Sequence, residues 1–414
     1  MERFYEEFSL PSGIRIVHKQ VAHTRVAHCA FILDIGSRDE KAHQQGIAHF
    51  WEHMAFKGTN KRKAFHVINR LESLGGELNA YTTKEKICFH ASFLDHHYDK
   101  AVELLADITF DSIFPQAQIE RERSVILEEM AMCQDAPDDA IQDEFDSLIF
   151  TGHPLGNNIL GTEDSVNQFN QQDFREFIRE NLDTHKIVFS SVGNIPFKKV
   201  TRLLNKYLSD LPESKVNRER KSFQNYLPQE IRKPFKASQA YCALGAAAFS
   251  IHHPQKLPFT LLNNLLGGPS LNSRLNLALR EKLGYVYSVE SHYTPFSDSG
   301  MFAIYFATEA KKIEKSLAVV QRELKNLREH PLGKMQLHQA KEQILGQLAM
   351  AEESNLNFML MMGTSILDSG RVEPLGDVFR ELRKIKSEDI LEVAQIIFSE
   401  EYLSQLIYLP QLVE

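Results

Sequence analysis

The sequence predicts an α+β fold made of two tandem, homologous α/β domains. A chain of 414 residues is too long for one ordinary hydrophobic core. Short alternating strands and amphipathic helices follow one another along the first half. A similar order begins again after a polar segment, which is typical of a divergent duplication.

The first half of the chain shows the strand and helix signals in a clear order. Alternating apolar residues predict two opening strands, and the turn after them leads into a helix that begins near Gln45. Gly75 and Gly76 follow the next predicted helix and are typical of a helix C-terminus. The predicted elements are strands at 13–19, 26–34, 78–83, 86–93 and 186–192, with helices at 64–74, 98–108, 116–134 and 197–208.

A polar, charged segment at residues 212–233 predicts an interdomain linker. The predicted domains are therefore 1–211 and 234–414. Beyond the linker, the sequence predicts strands at 241–249, 286–289 and 300–306, with helices at 258–266, 313–328 and 335–353. This order resembles that of the first half, so two copies of one α/β unit are expected.

The composition limits the classes of partner. A net charge of -8 does not favour binding to nucleic acid or to anionic lipid, so neither partner is expected. The N-terminus is charged and no apolar run approaches a membrane span, so a cytoplasmic protein is expected. The four cysteines form no Cys-x-x-Cys pair, which argues against a thiolate zinc site or a redox motif.

The segment His49-Phe50-Trp51-Glu52-His53 carries the first chemical signal. Two histidines four residues apart lie on one face of a helix and can bind one ion together. Glu52 lies near the same face, where it can deprotonate a metal-bound water without being a ligand. This is the inverted form of a zinc-peptidase motif, and zinc suits such donors. A chain with 17 histidines can also form this pattern by chance, so a third ligand is needed.

The predicted helix at 116–134 offers carboxylates for that ligand. Glu122 and Glu129 are seven residues apart and therefore share one helix face. Glu129 could bind the metal while Glu122 holds a ligand histidine in the required tautomer. Taken in isolation, each of these glutamates fits a solvated helix face better.

These segments resemble the pitrilysin/insulinase zinc metallopeptidases, in particular the bacterial members similar to the mitochondrial processing peptidase β subunit. The similar segments are 49–59, 74–82, 120–129, 153–156, 159–162, 273–275 and 280–288. The resemblance therefore extends over essentially the whole chain. It implies the half clamshell of the processing peptidases, in which each domain is an antiparallel sheet packed with helices on one side.

The resemblance also assigns roles to the candidate residues. It implies that His49, His53 and Glu129 bind one zinc ion per chain, while Glu52 activates the attacking water and Glu122 supports a ligand histidine. The second half has no histidine pair in the matching helix, so it is expected to bind no metal.

Two further groups follow from the same resemblance. An arginine and a tyrosine of the second half, Arg280 and Tyr287, are expected to contact the substrate carbonyl, and Tyr285 is a competing candidate. The segment Asn79-Ala80-Tyr81 resembles the edge strand that pairs with the backbone of the peptide substrate.

The expected function is that of a zinc-dependent endopeptidase acting on peptides or unfolded segments. Full-length relatives join four such domains into a closed chamber, so a chain with two implies a homodimer or a heterodimer with a related chain. One alternative is a catalytically weak or inactive subunit that binds peptides or assembles with an active partner. Another is a metal-dependent hydrolase of small molecules.

Overall fold

The computed structural model describes residues 4–411, which form two compact units. The first unit contains residues 4–130, 157–220 and 350–374. The second contains residues 131–156, 221–349 and 375–411. Each unit therefore includes a segment from the other half of the sequence.

The described residues contain eleven β-strands in two sheets. In chain order the strands are β1 Glu6–Ser9, β2 Arg15–Gln20, β3 Val26–Leu33, β4 Glu77–Thr82, β5 Ile87–Leu94, β6 Ile187–Gly193, β7 Glu230–Phe235, β8 Ala240–Ala248, β9 Val286–Pro295, β10 Gly300–Thr308 and β11 Ser404–Pro410.

The same residues contain fourteen α-helices and a π-helical segment at Asn276–Glu281. The helices are α1 Ile47–Ala55, α2 Ala64–Glu72, α3 Tyr98–Phe110, α4 Gln116–Asp135, α5 Pro137–Ile149, α6 Glu163–Gln168, α7 Gln171–Asn181, α8 Phe197–Leu208, α9 Lys256–Gly267, α10 Ile313–Glu329, α11 Lys334–Glu353, α12 Asn355–Ser369, α13 Leu375–Lys384 and α14 Ser387–Ile397. Among the residues described, no helix has both the length and the apolar character needed to cross a bilayer.

The first unit is built on a six-stranded sheet with the order β1-β2-β6-β3-β5-β4. Neighbouring strands are antiparallel except β2 and β6, which run parallel. Strand β4 lies at one edge, where it pairs with β5 without a bulge from Glu77 opposite Ser92 to Thr82 opposite Ile87. The other side of β4 therefore presents backbone groups that β5 does not satisfy.

Helices cover both faces of this sheet. Side chains alternate along β3, so Ala30 and Ile32 pack with Met362 of α12, whereas Phe31 packs against Phe110 of α3 on the opposite face. Helices α1, α3 and α8 also contact strands of the sheet. The expectation of helices on one side only is wrong for this sheet, because α12 comes from a part of the chain where no element was predicted.

The second unit repeats this architecture around a five-stranded sheet with the order β7-β11-β8-β10-β9. Its neighbouring strands are antiparallel except β7 and β11. Phe145 of α5 packs against Ala243 on one face, while Phe259 of α9 packs near Phe302 on the other. Here too, one covering helix comes from the other half of the sequence.

The fold class predicted from the sequence is confirmed, since each unit is a largely antiparallel sheet packed with helices. Residues 212–229 of the predicted linker form neither helix nor strand. Arg220 in this segment is ion-paired with Asp34 and Asp39 of the first unit. The predicted domains 1–211 and 234–414 are defined by the sequence repeat, whereas the two compact units are defined by contacts. The domain boundaries therefore stay a prediction.

Candidate metal centre

A buried carboxylate fixes the start of helix α1. Glu40 is 6% exposed and accepts hydrogen bonds from the backbone N–H groups of Gly46 and Ala48, each at 2.9 Å. These N–H groups have no partner within the helix, so the carboxylate caps them. Burial raises the pKa of Glu40 well above its ordinary value, although the two backbone hydrogen bonds oppose this shift.

The loop that contains Gly161 packs closely against the start of α1, at Gln45 and Gly46. Gly46 and Gly161 both have positive φ, 93° and 83°, which favours glycine. A Cβ atom at Gly161 would overlap the carbonyl oxygen of Gln45. That oxygen also accepts a hydrogen bond of 2.6 Å from Ser165. The first turn of α1 is therefore held on two sides.

His49 in the first turn of α1 and His53 one turn later meet the glutamate predicted as the third ligand. Nε2 of His49 lies 3.8 Å from one carboxylate oxygen of Glu129, and Nε2 of His53 lies 3.6 Å from the other. The three potential ligand atoms all lie within 4.8 Å of one another. The two imidazole rings are in edge contact, with their centroids 4.6 Å apart.

This donor set fits a zinc ion. Two imidazoles and one carboxylate are a common zinc ligand set, and three protein ligands leave one position open. Burial, together with the neighbouring His53, lowers the pKa of His49 to about 3, so its ring is neutral at pH 7 and able to bind a metal. Nδ1 of His49 is buried and has no hydrogen-bond partner among the described residues.

Glu122 contacts His53 from the other side of the ring. Its carboxylate lies 3.3 Å from Nδ1 of His53 and 2.7 Å from Nζ of Lys57. Burial alone would raise the pKa of Glu122, but the hydrogen bonds to His53 and Lys57 and the charge of Lys57 hold it below the ordinary value. Glu122 therefore lies where the sequence places a group that orients a ligand histidine.

Glu52 lies near His53 and Glu129 and is held by a contact from the sheet. Its carboxylate accepts a hydrogen bond of 2.6 Å from the hydroxyl of Thr82, the last residue of β4. Burial raises the pKa of Glu52, while the bond from Thr82 and the nearby His53 act in the opposite direction. Thr82 was not among the predicted site residues, although strand alternation places it on the same face as Ala80.

Asn79, Ala80 and Tyr81 all lie on β4, at the edge of the first sheet. The ring of Tyr81 packs with the core beneath α12, near Cys88. Alternation then directs Ala80 to the face that carries α1. The structure therefore places this segment on an edge strand, as expected for backbone pairing.

Arg280 and Tyr287 lie next to each other in the second unit. The guanidinium of Arg280 is 5.7 Å from the centroid of the Tyr287 ring, a cation–π distance. Tyr287 is 87% exposed, whereas Tyr285 packs against the core and its carbonyl accepts a hydrogen bond from Thr308. Of the two tyrosines, Tyr287 is the one with a phenol presented to solvent beside the arginine.

Comparison with known sequences identifies related proteins. The family profile described as insulinase (peptidase family M16) matches residues 15–163, and the one described as peptidase M16 inactive domain matches residues 168–344. The chain is 31% identical to the uncharacterized zinc protease YmxG of Bacillus subtilis, over 97% of this chain and 98% of the relative. It is also 31% identical to an uncharacterized zinc protease of Rickettsia bellii, over 98% of both chains.

Two crystal structures share the fold. One, described as the peptidase M16 inactive domain from Pseudomonas fluorescens, has a TM-score of 0.91 at 19% identity and covers 99% of both chains. The other, a protease from Helicobacter pylori, has a TM-score of 0.88 at 20% identity and covers 98% of this chain and 99% of that chain. The chain therefore belongs to the M16, or insulinase, family of peptidases, and the resemblance predicted from the sequence is confirmed.

Proposed function

We propose that the protein is a zinc-dependent endopeptidase that cleaves peptides or unfolded segments. The observation that carries the proposal is the convergence of His49, His53 and Glu129, whose ligand atoms lie within 4.8 Å of one another. Glu52 lies near His53 and Glu129. In this proposal the three residues hold one zinc ion per chain. Glu122 keeps the ring of His53 in the orientation and tautomer that ligation requires.

Zinc in this position would supply a Lewis acid that polarises the peptide carbonyl and makes a water molecule more acidic. The protein's own contribution to proton transfer comes from Glu52. Its carboxylate accepts a proton from the attacking water as the new C–O bond forms, and returns it to the leaving amine as the C–N bond breaks. Water supplies both the oxygen and the proton, so no further reactant is needed.

The edge strand β4 is proposed to bind the substrate backbone. An extended peptide can add as a further strand beside Asn79, Ala80 and Tyr81, because β4 is the end strand of the sheet and no described strand pairs with its outer edge. Pairing through main-chain groups depends little on side-chain identity. This mode of binding supports a role on varied peptides.

The Arg280–Tyr287 pair is proposed to bind the oxygen of the scissile carbonyl as it becomes negative. The test is a pair of matched substitutions, Tyr287→Phe and Tyr285→Phe, each of which removes only a hydroxyl. Tyr287→Phe is expected to lower kcat by about 10-fold or more, whereas Tyr285→Phe keeps the wild-type rate. The opposite pattern would assign the role to Tyr285.

The site is proposed to operate inside a chamber closed by two chains, either two copies or one copy with a related chain. Sedimentation equilibrium on the purified protein tests this assembly. A dimer is expected, and a monomer that cleaves peptides at full rate would contradict the chamber.

One observation favours a second candidate, an inactive subunit that binds peptides or assembles with an active partner. The profile matching residues 168–344 is described as an inactive domain. That match covers the half without the histidine pair, whereas the first half keeps His49, His53 and Glu129 as ligands and Glu52 as the base of the proposed active site. Measuring zinc content together with peptide cleavage separates the two candidates.

The deciding experiment measures zinc content and cleavage of a quenched fluorogenic peptide for the wild type, Glu52→Gln and the surface control Glu128→Gln. The wild type and the control are expected to hold one zinc per chain and cleave equally. Glu52→Gln should retain zinc while cleavage falls by orders of magnitude, since an amide cannot accept the proton. Wild-type protein without zinc or activity would favour the subunit, and full activity in Glu52→Gln would remove Glu52 from this role.

A further inference from the structure

Thr82 links the proposed peptide-binding strand to the proposed base. Its hydroxyl donates a hydrogen bond of 2.6 Å to a carboxylate oxygen of Glu52, which lies on helix α1. We propose that Thr82 is a positioning residue, whose hydroxyl holds the Glu52 carboxylate in its working orientation and ties it to the edge strand β4. The inference rests on the proposed function and deepens it.

The end of β4 is firmly anchored, so the hydroxyl starts from a fixed point. Thr82 lies opposite Ile87 in the β4–β5 pairing, and the turn that follows is closed by a hydrogen bond from the N–H of Thr83 to the carbonyl of Lys86. The loop before α1 binds the same turn, because the N–H of Ser37 donates to the carbonyl of Thr83 at 3.2 Å. The strand end and the approach to α1 therefore form one backbone assembly.

The side chains of Thr82 and Glu52 differ in stiffness, so the hydrogen bond between them restricts one more than the other. Threonine is branched at Cβ and has few χ1 choices, so its oxygen follows the backbone of the strand. Glutamate has three rotatable side-chain bonds and loses rotamer freedom only if something holds it. A short bond from a hydroxyl to a carboxylate is among the stronger neutral-to-charged hydrogen bonds. Thr82 therefore restricts Glu52 more than Glu52 restricts Thr82.

This arrangement places the base and the substrate backbone on one structural element. Side-chain alternation directs Ala80 and Thr82 to the α1 face of β4, while the outer backbone groups of the same strand remain available to a peptide. A peptide paired with β4 is then held in register with the carboxylate that must reach its attacking water. Small misplacements of such a group cost large factors in rate.

The test compares Thr82→Val, which removes the hydroxyl at nearly constant shape and suits a strand, with Thr82→Ser, which restores it. Thr83→Val is the matched control, because the Thr83 hydroxyl bonds only backbone groups of the turn in the described contacts. For Thr82→Val, kcat is expected to fall by about 10- to 100-fold, with KM changed by less than about 3-fold and zinc still at one per chain. Thr82→Ser should recover most of the rate, and Thr83→Val should keep it.

Each other result has a definite meaning. Wild-type kcat in Thr82→Val, or a faster rate, would overturn the positioning role while leaving the proposed function intact. Loss of zinc in Thr82→Val, or an equal loss of rate in Thr83→Val, would overturn it in favour of a general structural role of the hairpin. Wild-type protein that binds zinc but cleaves no peptide would overturn the proposed function and this inference together.

Discussion

Replacing Glu122 by alanine is predicted to weaken zinc binding although no ligand is removed. The Glu122 carboxylate is the hydrogen-bond acceptor for Nδ1 of His53 at 3.3 Å, and it pairs with Nζ of Lys57 at 2.7 Å. Alanine leaves the ring free to rotate and to place its proton on the nitrogen that should bind the metal. His49 has no such partner among the described residues, so the effect acts through His53.

The size of the effect follows from these contacts. Loss of a group that orients a ligand histidine typically costs about 10- to 100-fold in metal affinity, which corresponds to roughly 1.4 to 2.8 kcal/mol. Glu122→Gln keeps a carbonyl oxygen for His53 and loses only the ion pair with Lys57. Because the Lys57 side chain is 26% exposed, that ion pair is partly screened, and a loss of less than about 10-fold is expected.

The assay is a competition titration with a chromogenic zinc chelator on wild type, Glu122→Ala, Glu122→Gln and Lys57→Met. The predicted order of affinity places Glu122→Ala well below the other three. An unchanged zinc dissociation constant in Glu122→Ala would refute the reasoning. Equal losses in Glu122→Ala and Lys57→Met would assign the effect to the charge of Lys57 instead of the bond to His53.

Three other perturbations test the scaffold of the site. Glu40→Gln turns an NH₂ group toward backbone N–H donors, so it should lower the free energy of unfolding by about 1–3 kcal/mol and also weaken zinc binding. The control is Asp389→Asn, which alters a similar contact at the start of α14 and should affect stability alone. Denaturant and zinc titrations of both variants measure the two effects. Gly161→Ala should lower the melting temperature, since its Cβ would overlap the Gln45 carbonyl at a positive φ, and an unchanged melting temperature would contradict the close approach. His18 is buried on β2, where its ring nitrogens bond the hydroxyl of Ser191 and the carbonyl of Ile195. Burial lowers the pKa of His18, so the contribution of the neutral ring to the free energy of unfolding is complete above the ordinary pKa of about 6.5 and is lost as pH falls below it. The gap in melting temperature between wild type and His18→Gln should therefore shrink from pH 7.5 to 5.5, and a widening gap would contradict this sign.

The local part of the site could be predicted from the sequence because it lies on one short helix. The spacing of His49, Glu52 and His53 fixes their common face once the helix is assumed. Glu129 was a different case, because helix periodicity pairs it with Glu122 but does not say which helix face meets α1. The family resemblance supplied that choice, and the structure brings Glu129 within reach of both histidines.

Other features depend on contacts between distant segments, which periodicity does not record. Glu40 and Thr82 look like ordinary polar residues in the sequence. In the fold, Glu40 caps the start of α1 and Thr82 donates a hydrogen bond to Glu52 on the same helix. Tyr285 and Tyr287 share one alternation pattern, yet the N–H of Tyr285 bonds the carbonyl of Leu279 and belongs to the turn before β9. No element was predicted where α12 lies, and its largely apolar sequence does not say which sheet it covers.

Zinc K-edge X-ray absorption on the metal-loaded protein tests the central claim most directly. We predict that the nearest scatterers are nitrogen and oxygen alone, with the outer-shell pattern of two imidazole rings, and that His53→Ala loses one imidazole contribution. A sulfur scatterer at about 2.3 Å would place the zinc on cysteine. An unchanged spectrum in both His49→Ala and His53→Ala would place it elsewhere in the chain, and either result would contradict the site.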